Sequence, residues 1–313
     1  MISEKLKRML EKQHYVIVGK HSAVQICKYT KESLRGKDVC YKQKFYGIQS
    51  HRCCQMSPVV NLCHHRCVYC WRPIEFTSFT KLQQVDDPEE IIGGCIAAQR
   101  KLLSGFLANK NVSREKFFEA QEPKHFAISL IGEPTLYPKI GELILILREK
   151  GITSFLVTNG ESPDVLKNLQ RKNALPTQLY ISLNASNEDL YKKICNPIGG
   201  SWENILKTLR LLRILKTRTV VRITLIKGLN TQQIEEYSSL LKTAKPNFVE
   251  IKAYMHIGFS QYRLSRENMP SHQEIKEFGK NIASSINYKI LDEKENSRVV
   301  LLGKSNRDRF IKV

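Results

Sequence analysis

The sequence predicts an α/β fold, an incomplete parallel (βα)6 barrel that follows an N-terminal cysteine-rich extension. Continuous apolar runs with β-branched residues alternate with helical patterns from residue 59 onward, which is typical of parallel strands covered by helices on both faces. Six such units are fewer than the eight that close a barrel. The residues before Pro58 contain four cysteines and few aliphatic side chains, so they indicate an extension rather than an independent core.

The pattern divides the chain into three segments. We expect residues 1–57 to form the extension, 58–285 the partial barrel, and 286–313 a C-terminal hairpin with a basic tail. Within the extension, residues 1–12 have the spacing of an amphipathic helix and Tyr15–Val18 that of a strand. The hairpin would pair Tyr288–Leu291 with Arg298–Leu302.

The barrel segment contains six predicted strands, which are Val59–Leu62, His125–Ile131, Thr153–Thr158, Gln178–Leu183, Thr219–Ile226 and Phe248–Tyr254. The first helix between them begins after Asp86 and Asp87, because Pro88 and the two acids that follow are typical of a helix N-terminus. The later helices are predicted at Pro138–Lys150, Ser162–Arg171, Trp202–Leu215, Thr231–Thr243 and Ser271–Ser285.

The chain carries a large positive charge, with 50 Lys and Arg against 30 Asp and Glu, a formal net charge of +20 and a pI near 9.6. Residues 1–54 hold twelve basic and four acidic side chains, and residues 204–234 hold seven basic and no acidic ones. Such stretches point to RNA or DNA as a partner, although solvated helix faces can carry similar charges.

The cysteine content and the N-terminus indicate the compartment. Nine cysteines are an odd number and no apolar signal segment follows Met1, so a reducing cytoplasm is expected rather than disulfides. No run approaches the ~18 apolar residues of a membrane span, and no membrane partner is expected.

A short loop places Cys63, Cys67 and Cys70 in a C-x3-C-x2-C array. Three thiolates from one loop can hold three irons of a cubane cluster and leave the fourth iron open to a small molecule, whereas a fourth cysteine would make an electron carrier. Zinc is the alternative, because His64 and His65 could complete a mixed site. Structural zinc sites, however, usually add a second, distant pair of ligands.

Polar residues follow three successive predicted strands. They are Gly132 and Glu133 after the second strand, Thr158 and Asn159 after the third, and Ser182 and Asn184 at the fourth. Parallel barrels place their chemistry at the carboxyl ends of the strands, so these residues should share one pocket with the tri-cysteine loop. Each motif taken alone is an ordinary turn.

A second set of cysteines lies in the extension. Cys27, Cys40 and Cys53 occur in a basic segment beside the first loop and suggest a second iron–sulfur site. Buried apolar cysteines are the alternative interpretation. Cys54 competes with Cys53, because adjacent side chains point in different directions. Cys95 and Cys195 lie on helical patterns, which predicts that they are core residues.

The tri-cysteine spacing, Tyr69 just before its last cysteine and the apolar Pro58-Val59-Val60 resemble the radical S-adenosylmethionine superfamily. The resemblance implies that the open iron chelates the amino acid end of S-adenosylmethionine. It also implies that Gly132 and Glu133, which match a Gly-Gly-Glu motif except that Ile131 replaces its first glycine, hold the methionine amino group. The polar residues of strand four would reach the ribose or carboxylate.

A closer resemblance covers nearly the whole chain. The segments Ser33–Gly36, Cys40–Gly47 and Ser50–Met56, running into Cys63–Arg72, resemble the tRNA 4-demethylwyosine synthase family in its short archaeal form. The resemblance implies two 4Fe-4S clusters, S-adenosylmethionine, and the formation of a tricyclic base from 1-methylguanosine beside the anticodon of phenylalanine tRNA. Pyruvate would donate two carbons, and an external one-electron donor would be needed. A monomer is expected.

The same resemblance implies two ways of activating pyruvate. A cluster on Cys27, Cys40 and Cys53 could hold pyruvate as a Lewis acid, or Lys42 could form a Schiff base with it. The second role needs a neutral amine, which burial or a nearby positive charge favours. A surface lysine that contacts phosphate, like Lys44, is the alternative for Lys42.

The anticodon loop is single-stranded, so its bases can stack on aromatic side chains. The candidates are Tyr46, Trp71, Phe76 and Phe79, with core burial as the alternative for each. Two rival functions remain from the sequence alone. One is another two-cluster radical S-adenosylmethionine enzyme that acts on a peptide or small molecule, and the other is a zinc-bearing nucleic-acid-binding protein.

Overall fold

A computed structural model describes residues 2–312 and contains one ten-stranded mixed sheet with strand order β1-β2-β3-β4-β5-β6-β7-β8-β10-β9. The strands are β1 Val16–Val18, β2 Ser22–Val24, β3 Cys53–Ser57, β4 His125–Ile128, β5 Thr153–Thr158, β6 Gln178–Ser182, β7 Arg218–Leu225, β8 Phe248–Ala253, β9 Lys289–Lys294 and β10 Val299–Gly303. Strands β3 to β8 pair in parallel in chain order. The remaining strands pair antiparallel at the two ends.

The helices are α1 Glu4–Lys12, α2 Lys28–Leu34, α3 Tyr41–Tyr46, α4 Pro88–Leu103, α5 Arg114–Glu119, α6 Ile140–Glu149, α7 Pro163–Arg171, α8 Glu188–Cys195, α9 Trp202–Leu212, α10 Ile234–Ala244 and α11 His272–Ile286. Helix α4 begins as predicted, because the Asp87 side chain accepts from the backbone N–H of Glu89 at 2.9 Å and Pro88 occupies the first turn. The predicted C-terminal hairpin is confirmed by the pairing of β9 with β10.

The first parallel strand differs from the prediction. It is Cys53–Ser57, and Val59–Leu62 instead forms a buried turn. Pro58 has no backbone N–H for a strand ladder. The carbonyl oxygen of Leu62 accepts from the backbone N–H of Glu133 at 2.8 Å. Val59, Val60 and Leu62 are buried although they belong to no strand of the sheet. A buried apolar segment of this kind has the same residue pattern as a buried strand.

The two faces of the sheet differ in chemistry, because successive strand residues point to opposite sides. Alternate residues such as Leu156, Ile181 and Ile251 join the flanking helices in the main apolar core. Their neighbours on the other face, such as Phe155 and Tyr180, form a second cluster with the aromatic side chains of α3. We call this second side the inner face. Helix α3 of the extension therefore fills part of the space inside the curved sheet.

The extension is continuous with the sheet, since β2 pairs with β3 and β3 pairs with β4. The division at residues 57 and 285 stays a prediction. Helix α4 and the turn that follows it, Pro88–Ala108, are long and apolar enough to cross a membrane by length and composition only. Ile91, Ile92 and Cys95 of this helix lie in the main core, as expected of a helix that covers a sheet.

Candidate active site

The tri-cysteine loop lies beyond the carboxyl end of β3, and the chain holds it on several sides. The backbone N–H groups of Cys63, Arg66 and Val68 donate to the carbonyl oxygens of Ser78, Asn196 and Ile194 at 3.1, 3.0 and 2.9 Å. The guanidinium of Arg263 donates to the carbonyl oxygen of Val68 at 3.2 Å and to that of Cys70. The loop is thus positioned by protein contacts alone.

The three thiols of this loop are partly buried together. Burial raises the pKa of Cys63 well above its usual value and that of Cys70 to about 12. A hydrogen bond with Cys195, followed by burial, raises the pKa of Cys67. Thiols in this environment stay protonated unless a positively charged metal group replaces the protons. Three adjacent thiols on one loop fit a cubane cluster with one iron left open.

His65 links the loop to the next strand end. Its Nε2 lies 2.7 Å from Oε1 of Glu161, which also accepts from the hydroxyl of Tyr191. Burial alone would lower the pKa of His65, but hydrogen bonds with Cys67 and Glu161 outweigh burial and raise it to about 9. His65 is therefore committed to a buried ion pair that orients the loop around Cys67.

A zinc site would need close ligands, and in residues 2–312 one group of three has its ligand atoms within 4.8 Å of one another: His65, Cys67 and Cys195. It includes only one cysteine of the motif. His64 points elsewhere, with its ring 4.8 Å from that of Phe79. Cys195 is buried at the end of α8 as predicted, but its contact with Cys67 was not foreseen, because nothing in a helical pattern signals a distant loop.

Gly132 and Glu133 lie against the start of the loop. Gly132 has a φ of +71°, and a Cβ there would lie 2.2 Å from the carbonyl oxygen of Val59. The Glu133 carboxylate is buried and accepts from the hydroxyls of Thr158 and Thr135 at 2.6 and 2.7 Å. The backbone N–H of Asn159 donates to its other oxygen at 2.8 Å. The predicted residues after strands β4 and β5 thus form one network.

Asn159 and Asn184 connect that network to the cysteine loop. The Asn159 amide donates to Sγ of Cys63 at 3.8 Å. The Asn184 amide donates to the hydroxyl of Tyr69, and its oxygen accepts from the backbone N–H of Thr224 at 3.0 Å. Ser182 lies half-buried on the inner face at the end of β6. The predicted residues at the strand ends thus lie at the carboxyl edge of the parallel strands, where the tri-cysteine loop also lies.

The second cysteine set lies near the amino end of β3, beside the start of α3. Cys27 and Cys40 precede the first turns of α2 and α3, and Cys53 begins β3. Burial, with Cys27 nearby, raises the pKa of Cys40 to about 11, and burial raises that of Cys53 to about 12. Cys54 points to the other side of the strand, where it is fully buried in the main core with Cys95. This orientation favours Cys53 over Cys54.

Lys42 lies beside these cysteines and is only 8% exposed. Its Nζ lies 5.0 and 4.6 Å from the ring centroids of Phe155 and Tyr180, and in the described chain it has no carboxylate partner within ion-pair distance. Burial and the neighbouring Arg222 lower the pKa of Lys42. Lys44, in contrast, lies half-exposed 3.0 Å from Asp292. Lys42 is not a surface lysine.

We define the inner chamber as the space bordered by Lys42, Tyr41, Tyr180, Arg222, Glu250 and the second cysteine set. Sequence patterns did not single out Arg222 or Glu250, which lie on β7 and β8. The sequence feature that could have identified them is a charged residue in the middle of each strand, which is unusual for strands covered on both faces. In the sheet the two residues are paired.

The aromatic candidates separate by exposure. For Tyr46 the alternative of core burial is confirmed, because Tyr46 is fully buried and its hydroxyl donates to Glu250 at 2.8 Å. Phe76 packs partly buried against the cluster around α1. Trp71 and Phe79 are 39% and 45% exposed beside the tri-cysteine loop. Tyr262 is 83% exposed and was not among the aromatic side chains predicted from the sequence. It ends the turn Gly258–Tyr262, which contacts Trp71 although the two segments are far apart in the chain.

A surface cavity of about 350 Å³ lies elsewhere, near the amino ends of β6 and β7. Its arginines are already occupied: Arg148 donates to the carbonyl oxygens of Asn173 and Leu175, and Arg218 to Gln178. It contains none of the predicted site residues.

Comparison with known proteins adds independent information. Residues 109–241 match the radical SAM superfamily, and residues 243–304 match the family described as wyosine base formation. The S-adenosyl-L-methionine-dependent tRNA 4-demethylwyosine synthase of Pyrococcus abyssi is 49% identical over 99% of this chain and 94% of its own length. The same-named enzyme of Methanocaldococcus jannaschii is 41% identical over 98% of both chains.

Two solved structures are also similar. One, described as the structure of TYW1 with a lysine-pyruvate adduct bound, has a TM-score of 0.88 and 40% identity and covers 99% of this chain and 98% of its own. The crystal structure of archaeal TYW1 has a TM-score of 0.81 and 36% identity, over 99% and 100%.

Proposed function

The chain belongs to the family of S-adenosyl-L-methionine-dependent tRNA 4-demethylwyosine synthases, and from that premise we propose that it condenses 1-methylguanosine of phenylalanine tRNA with pyruvate. It is a radical S-adenosylmethionine enzyme of the wybutosine pathway. The observation that carries the proposal is the pair of cysteine sets, one on the loop after β3 beside Glu133 and Asn159, and the other beside the buried Lys42.

The six parallel strands form an incomplete (βα)6 barrel whose interior holds the reaction. The α/β sheet with open ends at β1 and β9 supports this description. The extension contributes α3 with Cys27 and Cys40 to the interior, and Cys53 begins β3, the first of the six parallel strands. The partial barrel would therefore start with β3 rather than at residue 58 and run to residue 285, and residues 286–313 would form the hairpin with its tail.

Cys63, Cys67 and Cys70 would hold the first 4Fe-4S cluster, which when bound supplies the electron that cleaves S-adenosylmethionine reductively. Gly132 lets the backbone approach the loop closely, and Glu133 would accept from the methionine amino group. Three of its four protein donors bind Oε1, whereas Oε2 accepts only from the backbone N–H of Asn159 and therefore keeps one lone pair for this bond. Tyr69, Thr158, Asn159, Ser182 and Asn184 would line the rest of the S-adenosylmethionine site.

Cys27, Cys40 and Cys53 would hold a second 4Fe-4S cluster, and Lys42 would form the Schiff base with pyruvate. The similar structure with a lysine-pyruvate adduct supports this role over a phosphate contact, as does the lack, among residues 2–312, of a carboxylate within ion-pair distance of Lys42 Nζ. The two aromatic rings hold the Lys42 amine in place. Burial lowers its pKa and so favours the neutral amine that attacks a ketone.

The partners follow from the charge and the exposed aromatic side chains. The net charge of +20 suits the phosphates of the tRNA anticodon loop, and Trp71 and Phe79 would stack on its bases. An external one-electron donor would reduce the first cluster. A cytoplasmic monomer remains the expectation.

Anaerobic reconstitution tests the two-cluster proposal. Wild type should bind about eight irons and the Cys27/Cys40/Cys53→Ala triple variant about four. Only wild type should convert 1-methylguanosine tRNA when S-adenosylmethionine, reductant and pyruvate are present. Zinc in place of iron, or eight irons in the triple variant, would contradict the proposal. A Cys54→Ala variant is the matched control and should keep both the iron and the activity.

A further inference from the structure

Basic side chains border the inner chamber. They are Lys42, Arg222 and Lys252, and Glu250 is a fully buried carboxylate among them. A buried charge is costly unless it is paired. Lys42 reacts as a neutral amine in the proposed function, so Arg222 is the permanent cation beside it that can pair with the carboxylate of a ligand.

Arg222 is the cation best held for binding such a ligand. Its Nε lies 2.9 Å from Oε2 of Glu250, and its Nη2 donates to the hydroxyl of Tyr41 at 2.8 Å. These two bonds fix the plane of the guanidinium. In residues 2–312, Nη1 has no recorded hydrogen bond, and the side chain keeps 17% exposure. A donor with a fixed direction and no protein acceptor is suited to an external anion.

Glu250 does not compete for the ligand. It is fully buried, and its Oε1 accepts from the hydroxyl of Tyr46 at 2.8 Å while Oε2 accepts from Arg222. Lys252 is also partly occupied, because its Nζ donates to the carbonyl oxygen of Ser297 at 2.8 Å. Arg222 and Lys42 share Tyr180 as a neighbour, since the guanidinium carbon and Nζ each lie 4.6 Å from its ring centroid.

We propose that Arg222 binds the carboxylate of the 2-oxoacid whose ketone carbon is attacked by Lys42, so that Arg222 makes the site specific for 2-oxoacids. This inference rests on the proposed function. The lysine nitrogen forms a bond to C2 of the 2-oxoacid, and the ketone oxygen leaves as water after taking up two protons. No oxidant or reductant is needed. The carboxylate stays bound to Arg222 on the neighbouring carbon.

Trapping of the Schiff base tests the specificity directly. The reconstituted full chain is incubated with cyanoborohydride and either pyruvate or methyl pyruvate, which has the same ketone but an ester in place of the carboxylate. The adduct mass is then measured. We expect R222Q/E250Q to need about ten- to a hundredfold more pyruvate than wild type for half-maximal trapping, the usual range for a lost charge-assisted hydrogen bond. Trapping of methyl pyruvate should be unchanged.

The double variant avoids leaving Glu250 buried without its partner, and its melting temperature is checked first. E250Q alone is the reference for the double variant, so that the difference between the two isolates Arg222, and K252Q is the matched control that should trap pyruvate within about threefold of wild type. A pyruvate response like wild type in R222Q/E250Q would overturn the proposal. So would a loss confined to K252Q or to the second cysteine set, which would assign the carboxylate to Lys252 or to the cluster.

A binding measurement separates this inference from the role of Lys42. Calorimetric titration of pyruvate into K42M and into K42M/R222Q/E250Q needs no Schiff base. If wild type forms no adduct, the Lys42 part of the proposed function is wrong, and the difference between these two titrations still decides the role of Arg222. Equal affinities in the two variants would overturn it.

Discussion

Gly132 has a φ of +71°, and a Cβ at this position would lie 2.2 Å from the carbonyl oxygen of Val59. Gly151 has a similar φ of +65° with no atom within 4 Å of a Cβ. Both substitutions to alanine place Cβ in the left-handed region, which costs about 1–2 kcal/mol. Only G132A adds a backbone clash beside the tri-cysteine loop.

We therefore expect G132A to weaken S-adenosylmethionine binding at least about tenfold, with G151A like wild type within about twofold. Equilibrium dialysis with the reconstituted proteins measures both affinities, and denaturant unfolding measures the shared cost of the positive φ. Equal binding by the two variants would show that the close approach at Gly132 does not matter for the site.

His125 is a buried neutral histidine at the start of β4. Its Nε2 accepts from the backbone N–H of Gln49 at 3.0 Å, and its Nδ1 donates to Thr153 at 2.7 Å. Burial lowers the pKa of His125 to about 4, below its ordinary value of about 6.5. Between these two pH values the unfolded chain binds the proton more readily, so stability falls as pH falls from about 6.5 to about 4.

The loss from this residue should be on the order of 3 kcal/mol. Urea unfolding of wild type and H125Q at several pH values from 7 to 4 measures it. The variant is less stable at pH 7, since it loses one well-placed ring, but its stability should fall less steeply with acid. Parallel pH profiles for the two proteins would contradict the assignment of a neutral histidine.

At the scale of elements, helix α3 positions Lys42 by inserting its aromatic side chains between the inner face of the sheet and the rest of the extension. Phe45 is fully buried, with its ring centroid 5.5 Å from that of Tyr41 and 6.1 Å from that of Tyr46. A helix of six residues has little stability of its own, so its place depends on this contact.

F45A should reduce the free energy of unfolding by about 3–5 kcal/mol and lower the yield of trapped pyruvate adduct, because Lys42 loses its fixed position. Phe118, 62% exposed on α5, gives the control: F118A should change stability by no more than about 0.5 kcal/mol. Chemical unfolding and adduct mass are the two measurements. If F45A were destabilised but still gave the full yield of adduct, the packing of α3 would not be needed to position Lys42.

At the scale of the whole molecule, we propose that the positive charge and the exposed aromatic side chains beside the tri-cysteine loop act together in RNA binding. Loss of base stacking costs about 1–3 kcal/mol per base. The variant W71A/F79A should therefore bind phenylalanine tRNA about tenfold or more weakly at fixed salt, while the slope of affinity against salt concentration stays unchanged, since no phosphate contact is lost.

Filter binding at several salt concentrations measures both quantities, with F118A as an exposed aromatic control that should bind like wild type. A changed salt slope with little loss at fixed salt would mean that Trp71 and Phe79 position basic side chains instead of stacking on bases.

Features of the fold and the site that depend on short sequence patterns could be predicted, whereas features that depend on contacts between distant segments could not. The order of strands and helices, the start of α4 at Asp87, the C-terminal hairpin and the gathering of Glu133, Thr158 and Asn159 follow from local patterns, because strand ends in a parallel sheet share one edge. The first strand was misplaced by about six residues, because Val59–Leu62 is apolar for burial alone.

The sequence by itself determined the family, the two cysteine sets and the alternation of strands and helices, since each is a short-range pattern of residue types. Only the tertiary structure decided that Cys53 faces the inner chamber while Cys54 joins the core, that Tyr46 is buried, and that Arg222 and Glu250 lie beside Lys42. These facts depend on which strand face turns inward and on which distant segments meet there; Tyr41 and Arg222, for example, are 181 residues apart. A local sequence pattern does not specify such tertiary contacts, because they depend on how many side chains pack together in the core.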